Sequence, residues 1–201
     1  LSGYGSGTDA SATAYADNLA VTAAVGTTAG NYNISYNHGG LTINKANAYV
    51  IIDSGQASTY GSTPTINYSF YSNAAGTGGS AITAATTGSA VITNAPSASS
   101  DAATYSLKYA SGLSSTNYAF NPATSNVDYV VNPATLVVTG ANNITTYSGS
   151  PQTNSGAIAT VNGSAVTITG NSIATGIGGQ SFTLSGYGSG TDASATAYAD
   201  N

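Results

Sequence analysis

The chain has 201 residues, 41% of them apolar and only 4% charged; two lysines, seven aspartates, no arginine and no glutamate give a net charge of −5. Two cations cannot neutralise a nucleic-acid backbone or hold an anionic membrane surface, so those two classes of partner are excluded. Cysteine, methionine and tryptophan are absent, so no disulfide contributes and stability must come from sheet pairing and packing alone.

The first element in chain order is a repeated string. LSGYGSGTDASATAYADN occupies residues 1–18 and recurs letter for letter at residues 184–201. Perfect identity over such a length means recent duplication or a window cut from a longer array, and it directs the reading toward repeat architecture and a fibre. The glycine-rich stretches Ser2 to Gly7 and Ser185 to Gly190 lack the GK[ST] of a phosphate loop and any following helix, so tight turns or bulges are expected there. The alanine-rich Asp9 to Ala24 has some helix propensity but no apolar stripe.

Alternating runs then follow. Tyr32, Ile34 and Tyr36 alternate with Asn33 and Ser35, which predicts a strand over 31–37 with one wet face. The turn Asn37-His38-Gly39-Gly40 comes next. The same period of two marks Ile66, Tyr68 and Phe70; Tyr105, Leu107 and Tyr109, with Ser106 and Lys108 pointing outward; Val127, Tyr129 and Val131; and Val166 with Ile168. Short runs separated by Gly, Asn, Ser and Pro clusters predict antiparallel all-β domains. No run approaches a membrane-spanning helix and no signal peptide is visible.

A weaker repeat lies inside the long one. AYVIIDSGQASTYGSTP at Ala48 to Pro64 parallels TLVVTGANNITTYSGSP at Thr135 to Pro151, so the Tyr60-to-Pro64 motif returns at Tyr147 to Pro151. Three segments are expected: 1–44, the last part of one domain; 45–133, a complete domain of a second type; and 134–201, the first part of the next domain of the first type. The junctions near Asn44 and Asn132 have almost no linker, which favours a stiff rod.

The residues that carry these repeats also carry a family likeness. GNYNISYNHGGLTINKA at Gly30 to Ala46, STYGSTP at Ser58 to Pro64 and VDYVVNPA ending at Ala134 resemble the tandem MBG-type domains of large secreted bacterial adhesins. TTYSGSP at Thr145 to Pro151, with LSGYGSGTDA and AGNYNISY, resembles the YDG type of filamentous-haemagglutinin-like proteins. The resemblance implies tandem immunoglobulin-like β-sandwich domains in a rod or fibre, the alternative being another small all-β sandwich or a β-grasp-like sheet. It further implies an adhesin stalk or spacer on the bacterial outer surface, active in cell-surface or biofilm adhesion.

No catalytic residue, cofactor site or metal site is expected. His38 is the only histidine and falls in a turn, and without Cys, Glu or a second His no nucleophile–base pair or histidine-rich metal site assembles. Asp9, Asp17, Asp53, Asp101, Asp128, Asp192 and Asp200 are dispersed and match no calcium loop. Lys108 alternates with inward residues, which argues against an isopeptide bond. Most tyrosines share a face with Ile, Leu or Phe and are expected in cores; Tyr4, Tyr15, Tyr60 and Tyr147 lie in loops and are expected to be exposed. Glycosylation sequons occur at Asn33, Asn67, Asn143 and Asn162. The expected partners are neighbouring identical repeats, with lateral self-association through exposed edges. Two rival readings stand beside the stalk: a filament of separate strand-complemented subunits, and a glycan- or ice-binding repeat.

Overall fold

The computed structural model describes residues 4–18, 28–77 and 79–200. Its strands are β1 Tyr15–Ala16, β2 Gly40–Leu41, β3 Ala46–Ile52, β4 Ala57–Thr59, β5 Tyr68–Tyr71, β6 Thr87–Thr93, β7 Thr104–Ser114 and β8 Tyr118–Pro122. They continue as β9 Val127–Asn132, β10 Leu136–Gly140, β11 Gln152–Thr153, β12 Ala157–Val161, β13 Ser164–Thr169, β14 Ser172–Ala174, β15 Ser181–Thr183 and β16 Ser189–Gly190. The fold is all-β; a short 3-10 turn, Ala29–Asn31, is the one helical element among the described residues. None of their helices is long and apolar enough to cross a membrane.

The chain divides into two compact units. The first comprises Leu1–Ser54, Ile66–Ala95 and Ser106–Asp128, the second Gly55–Thr65, Pro96–Tyr105 and Tyr129–Asn201. In the first unit β3 is the centre of a three-stranded sheet, antiparallel to β5 and parallel to β8. Its alternation places Ala48, Val50 and Ile52 inside. Phe70 of β5 and Phe120 of β8 meet at 5.1 Å between ring centres. In β7, Leu107 and Tyr109 are buried as the alternation predicts, while Ser106 is exposed. The β6–β7 hairpin is irregular: its register shifts between Gly88 and Val91. Gly88 and Gly112 have φ of +85° and +99°, and a Cβ on either would lie within about 2.2 Å of a cross-strand carbonyl oxygen. Only glycine fits such a bulge.

In the second unit β4 runs parallel to β9, and Tyr129 and Val131 of β9 are buried. β10, β12, β13, β14 and β15 form an antiparallel five-stranded sheet. Two-residue loops set its register. Asn162-Gly163, both at positive φ, joins β12 to β13, and Gly170-Asn171 joins β13 to β14. These are the mirror-image turns that match strand twist. One face of this sheet carries Leu136, Val138, Ala159, Val161, Val166, Ile168, Ile173 and Phe182, and cross-strand pairing keeps them together. The opposite face is rich in Thr and Ser.

Two expectations are corrected. The sheets are not antiparallel throughout, because β3–β8 and β4–β9 are parallel pairs, each of which needs a long crossover connection. Residues 32–37 form no strand among the described residues. Tyr32, Ile34 and Tyr36 are 69%, 43% and 43% exposed. Residues 9–18 are not helical, in line with the missing apolar stripe; residues 19–24 of the alanine-rich stretch lie outside the described residues.

Candidate interaction site: the duplicated segment

The two copies of the 18-residue string have the same internal structure. The Gly5 amide donates to Asp17 Oδ1 at 2.5 Å, and the Gly188 amide to Asp200 Oδ1 at 2.7 Å. Tyr15 Oη donates to the Asp9 carbonyl at 2.9 Å, and Tyr198 Oη to that of Asp192 at 3.1 Å. Ser11 and Ser194 each donate to the carbonyl two residues on, at 2.7 and 2.8 Å. The glycines are required by close approach. A Cβ on Gly7 or Gly190 would lie about 2.2 Å from the ring of Tyr15 or Tyr198, and one on Gly5 or Gly188 would lie 2.1 Å from that tyrosine's carbonyl oxygen. The glycine-rich stretch is therefore one leg of a closed loop packed on a tyrosine, where the sequence suggested a tight turn.

The copies differ in what they touch. In the first copy the Tyr-Ala leg, β1, pairs antiparallel with β2. Its flank is held by Asp17 N–H to Gly39 O at 3.0 Å and Ser11 N–H to Ile43 O at 2.9 Å. The Asn117 side chain accepts from Ala10 N–H at 2.7 Å and donates to Asp9 Oδ1 at 2.9 Å. In the second copy the opposite leg, β16, pairs with β11. Asn154 N–H donates to Gly188 O at 2.7 Å, and Asn154 Nδ2 to Asp200 Oδ1 at 3.0 Å. The Gly188 amide, and after it Asn154, hold the Asp200 carboxyl below the ordinary aspartate value of 3.8, with a smaller opposing effect of desolvation.

Burial follows the partners. Tyr4 is 61% exposed, whereas its equivalent Tyr187 is half-buried and Gly188 is buried. On the other leg the order reverses, with Tyr15 half-buried and Tyr198 46% exposed.

The other residues singled out by sequence stand apart from this site. His38 is exposed and stacks on Tyr36 at 6.2 Å. Both lysine ammoniums donate to main-chain carbonyls, Lys45 to Ser115 at 2.7 Å and Lys108 to Thr124 at 3.3 Å. Asp53 accepts from Ser69 Oγ at 2.9 Å and Asp128 is exposed. No group of three or more metal-ligating acids, histidines or cysteines occurs among the described residues. Tyr4 and Tyr147 are exposed as expected, but Tyr15 packs on Gly7 and Tyr60 lines a cleft of about 250 Å³ in the second unit with Leu136, Val161, Ile177 and Phe182.

All four sequon asparagines are exposed. Asn143 Nδ2 is bonded to Asn154 and Ser155, and Asn162 Nδ2 donates to Tyr60 O at 3.1 Å, so a glycan on either would break a contact. Sequence reading missed Asn117 and Asn154. The only signal for them was indirect: two carboxylates fixed within a repeated string need amide partners outside it.

Compared with known proteins, the chain matches no family model, no curated protein and no solved structure.

Proposed function

We propose that this chain is a structural repeat segment of an extracellular bacterial adhesin or matrix fibre, a stalk or spacer rather than an enzyme. It is built of tandem immunoglobulin-like β-sandwich domains of the MBG and YDG types, with segments 1–44, 45–133 and 134–201, and its partners are neighbouring identical repeats. One observation carries this reading: an 18-residue segment repeated without change, which keeps the same internal hydrogen bonds at both positions. Selection for a binding pocket does not demand such identity, whereas a serial spacer built from one unit contains it by construction. The low charge suits the role, because a surface of Ser, Thr and Asn keeps its structure across changing salt.

The test is the denatured mass of the native protein. A mass many times the 19.6 kDa of this chain, with a digest dominated by the repeated peptide, supports a tandem stalk. A single species at 19.6 kDa would replace it with a filament of separate subunits.

A further inference from the structure

We infer that the cleft beside the Tyr60 turn in the second unit is a binding site for one neutral sugar ring. The inference is independent of the stalk reading: it concerns what the unit binds, and the native mass has no bearing on its test.

The cleft is a product of sheet curvature. Leu136 of β10 and Phe182 of β15 both line it, although these strands are the two edges of the five-stranded sheet. In a flat sheet they would stand about 19 Å apart. The sheet therefore coils, and a cleft of about 250 Å³ lies in its hollow, with Leu136, Val161 and Ile177 in its apolar lining.

Its walls are held in place before any ligand arrives. Tyr60 N–H donates to Asn132 O at 2.8 Å, Gly61 N–H to Ala98 O at 3.0 Å, and Asn162 Nδ2 to Tyr60 O at 3.1 Å. The turn over residues 175–180 is closed by Thr175 N–H to Gln180 O at 3.0 Å, Gln180 N–H to Ile177 O at 3.0 Å and Thr175 Oγ1 to Gln180 O at 2.9 Å. The two turns pack on each other: a Cβ on Gly61 would lie 2.4 Å from Ile177 Cδ1, and one on Gly178 would lie 3.3 Å from Tyr60 Oη. A wall fixed in this way loses little entropy on binding.

Three polar side-chain groups at the cleft are left to meet a ligand. Tyr60 Oη, the Asp101 carboxylate and the Gln180 amide have no hydrogen-bond partner among the described residues. Asp101 and Gln180 serve the fold through their main chains, Asp101 O accepting from Tyr105 Oη at 2.8 Å. Together the three groups supply donors and acceptors next to two aromatic rings, Tyr60 and the 52% exposed Phe182. A pyranose asks for that combination, because its C–H face packs on rings and aliphatic side chains while each hydroxyl both donates and accepts. The volume lies just below the range of about 300–1,000 Å³ that holds drug-sized ligands, so one ring enters rather than a chain. A quaternary ammonium also seeks aromatic rings and a carboxylate, but it accepts no hydrogen bond from Tyr60 or Gln180, and the exposed Asp101 is screened by solvent. The same carboxylate repels acidic sugars.

The test is an NMR titration of the isotope-labelled chain with methyl glycosides of glucose, galactose, mannose, fucose and N-acetylglucosamine at millimolar concentration, with choline as the cationic probe. At least one glycoside should shift the amides of Tyr60, Gly178 and Phe182 while amides of the first unit stay still. Tyr60→Phe, Asp101→Ala and Gln180→Ala each remove a group that the fold does not use, so the remaining spectrum should match the native chain and binding should weaken severalfold. Phe182→Ala should weaken it further. A panel in which no glycoside moves the cleft amides overturns the proposal, as does choline binding there without a sugar response. So does a sugar response that Asp101→Ala and Gln180→Ala leave unchanged.

Discussion

A carboxylate within the repeated loop accepts the amide that closes it, and so fixes the loop's response to acid. Asp200 has its pKa lowered by Gly188 N–H and then Asn154, so its folded value lies below its unfolded one. Its stabilising contribution is therefore complete above 3.8 and is lost as pH falls through the depressed value. In an NMR titration the Gly188 amide shift should move with a midpoint below 3.8. Asp200→Asn should abolish that transition and loosen the loop at neutral pH, with the difference from the native chain shrinking in acid. A midpoint above 3.8 would contradict the hydrogen-bond assignment.

At the scale of elements, alternation was legible in β7 and β9. Leu107 and Tyr109 were placed inside and Ser106 outside from sequence, and they are. Leu107 is fully buried, so Leu107→Ala should cost about 2–5 kcal/mol by lost transfer energy and cavity formation. Ser106→Ala on the wet face should stay within about 0.5 kcal/mol. Chemical denaturation of the two variants side by side checks the face assignment. The same alternation at Tyr32, Ile34 and Tyr36 corresponds to no strand among the described residues; a period of two fixes which side chains share a face and leaves backbone pairing open. Parallel pairing was equally illegible: residues 46–50 and 118–122 carry no local mark of their register.

For the whole molecule, near-absence of charge is the dominant fact. The five-stranded sheet shows how solubility is kept: its face opposite the apolar one presents Thr139, Thr160, Thr167, Thr169, Ser172, Ser181 and Thr183 around the exposed Val137 and Ile158. Hydroxyls hydrate without a long-range field, and the two lysines are engaged by main-chain carbonyls. Raising NaCl from about 50 mM to about 500 mM should therefore leave the thermal midpoint unchanged within about 2 °C. A larger shift would show ion pairing to matter more than two lysines and seven aspartates allow.

The sequence by itself determined the class of fold, the faces of the paired strands and the repeat, because these depend on side-chain type at short spacing and on identity of letters. It also marked the repeated loop as the feature to follow. Only the tertiary structure decided that this loop has two legs with different partners, that Asn117 and Asn154 hold its carboxylates, and that its glycines are fixed by a tyrosine ring. Those facts arise from contacts between residues far apart in the chain, such as Asp9 with Asn117. Such contacts are chosen by the free energy of the whole arrangement and leave no periodic trace in the order of residues.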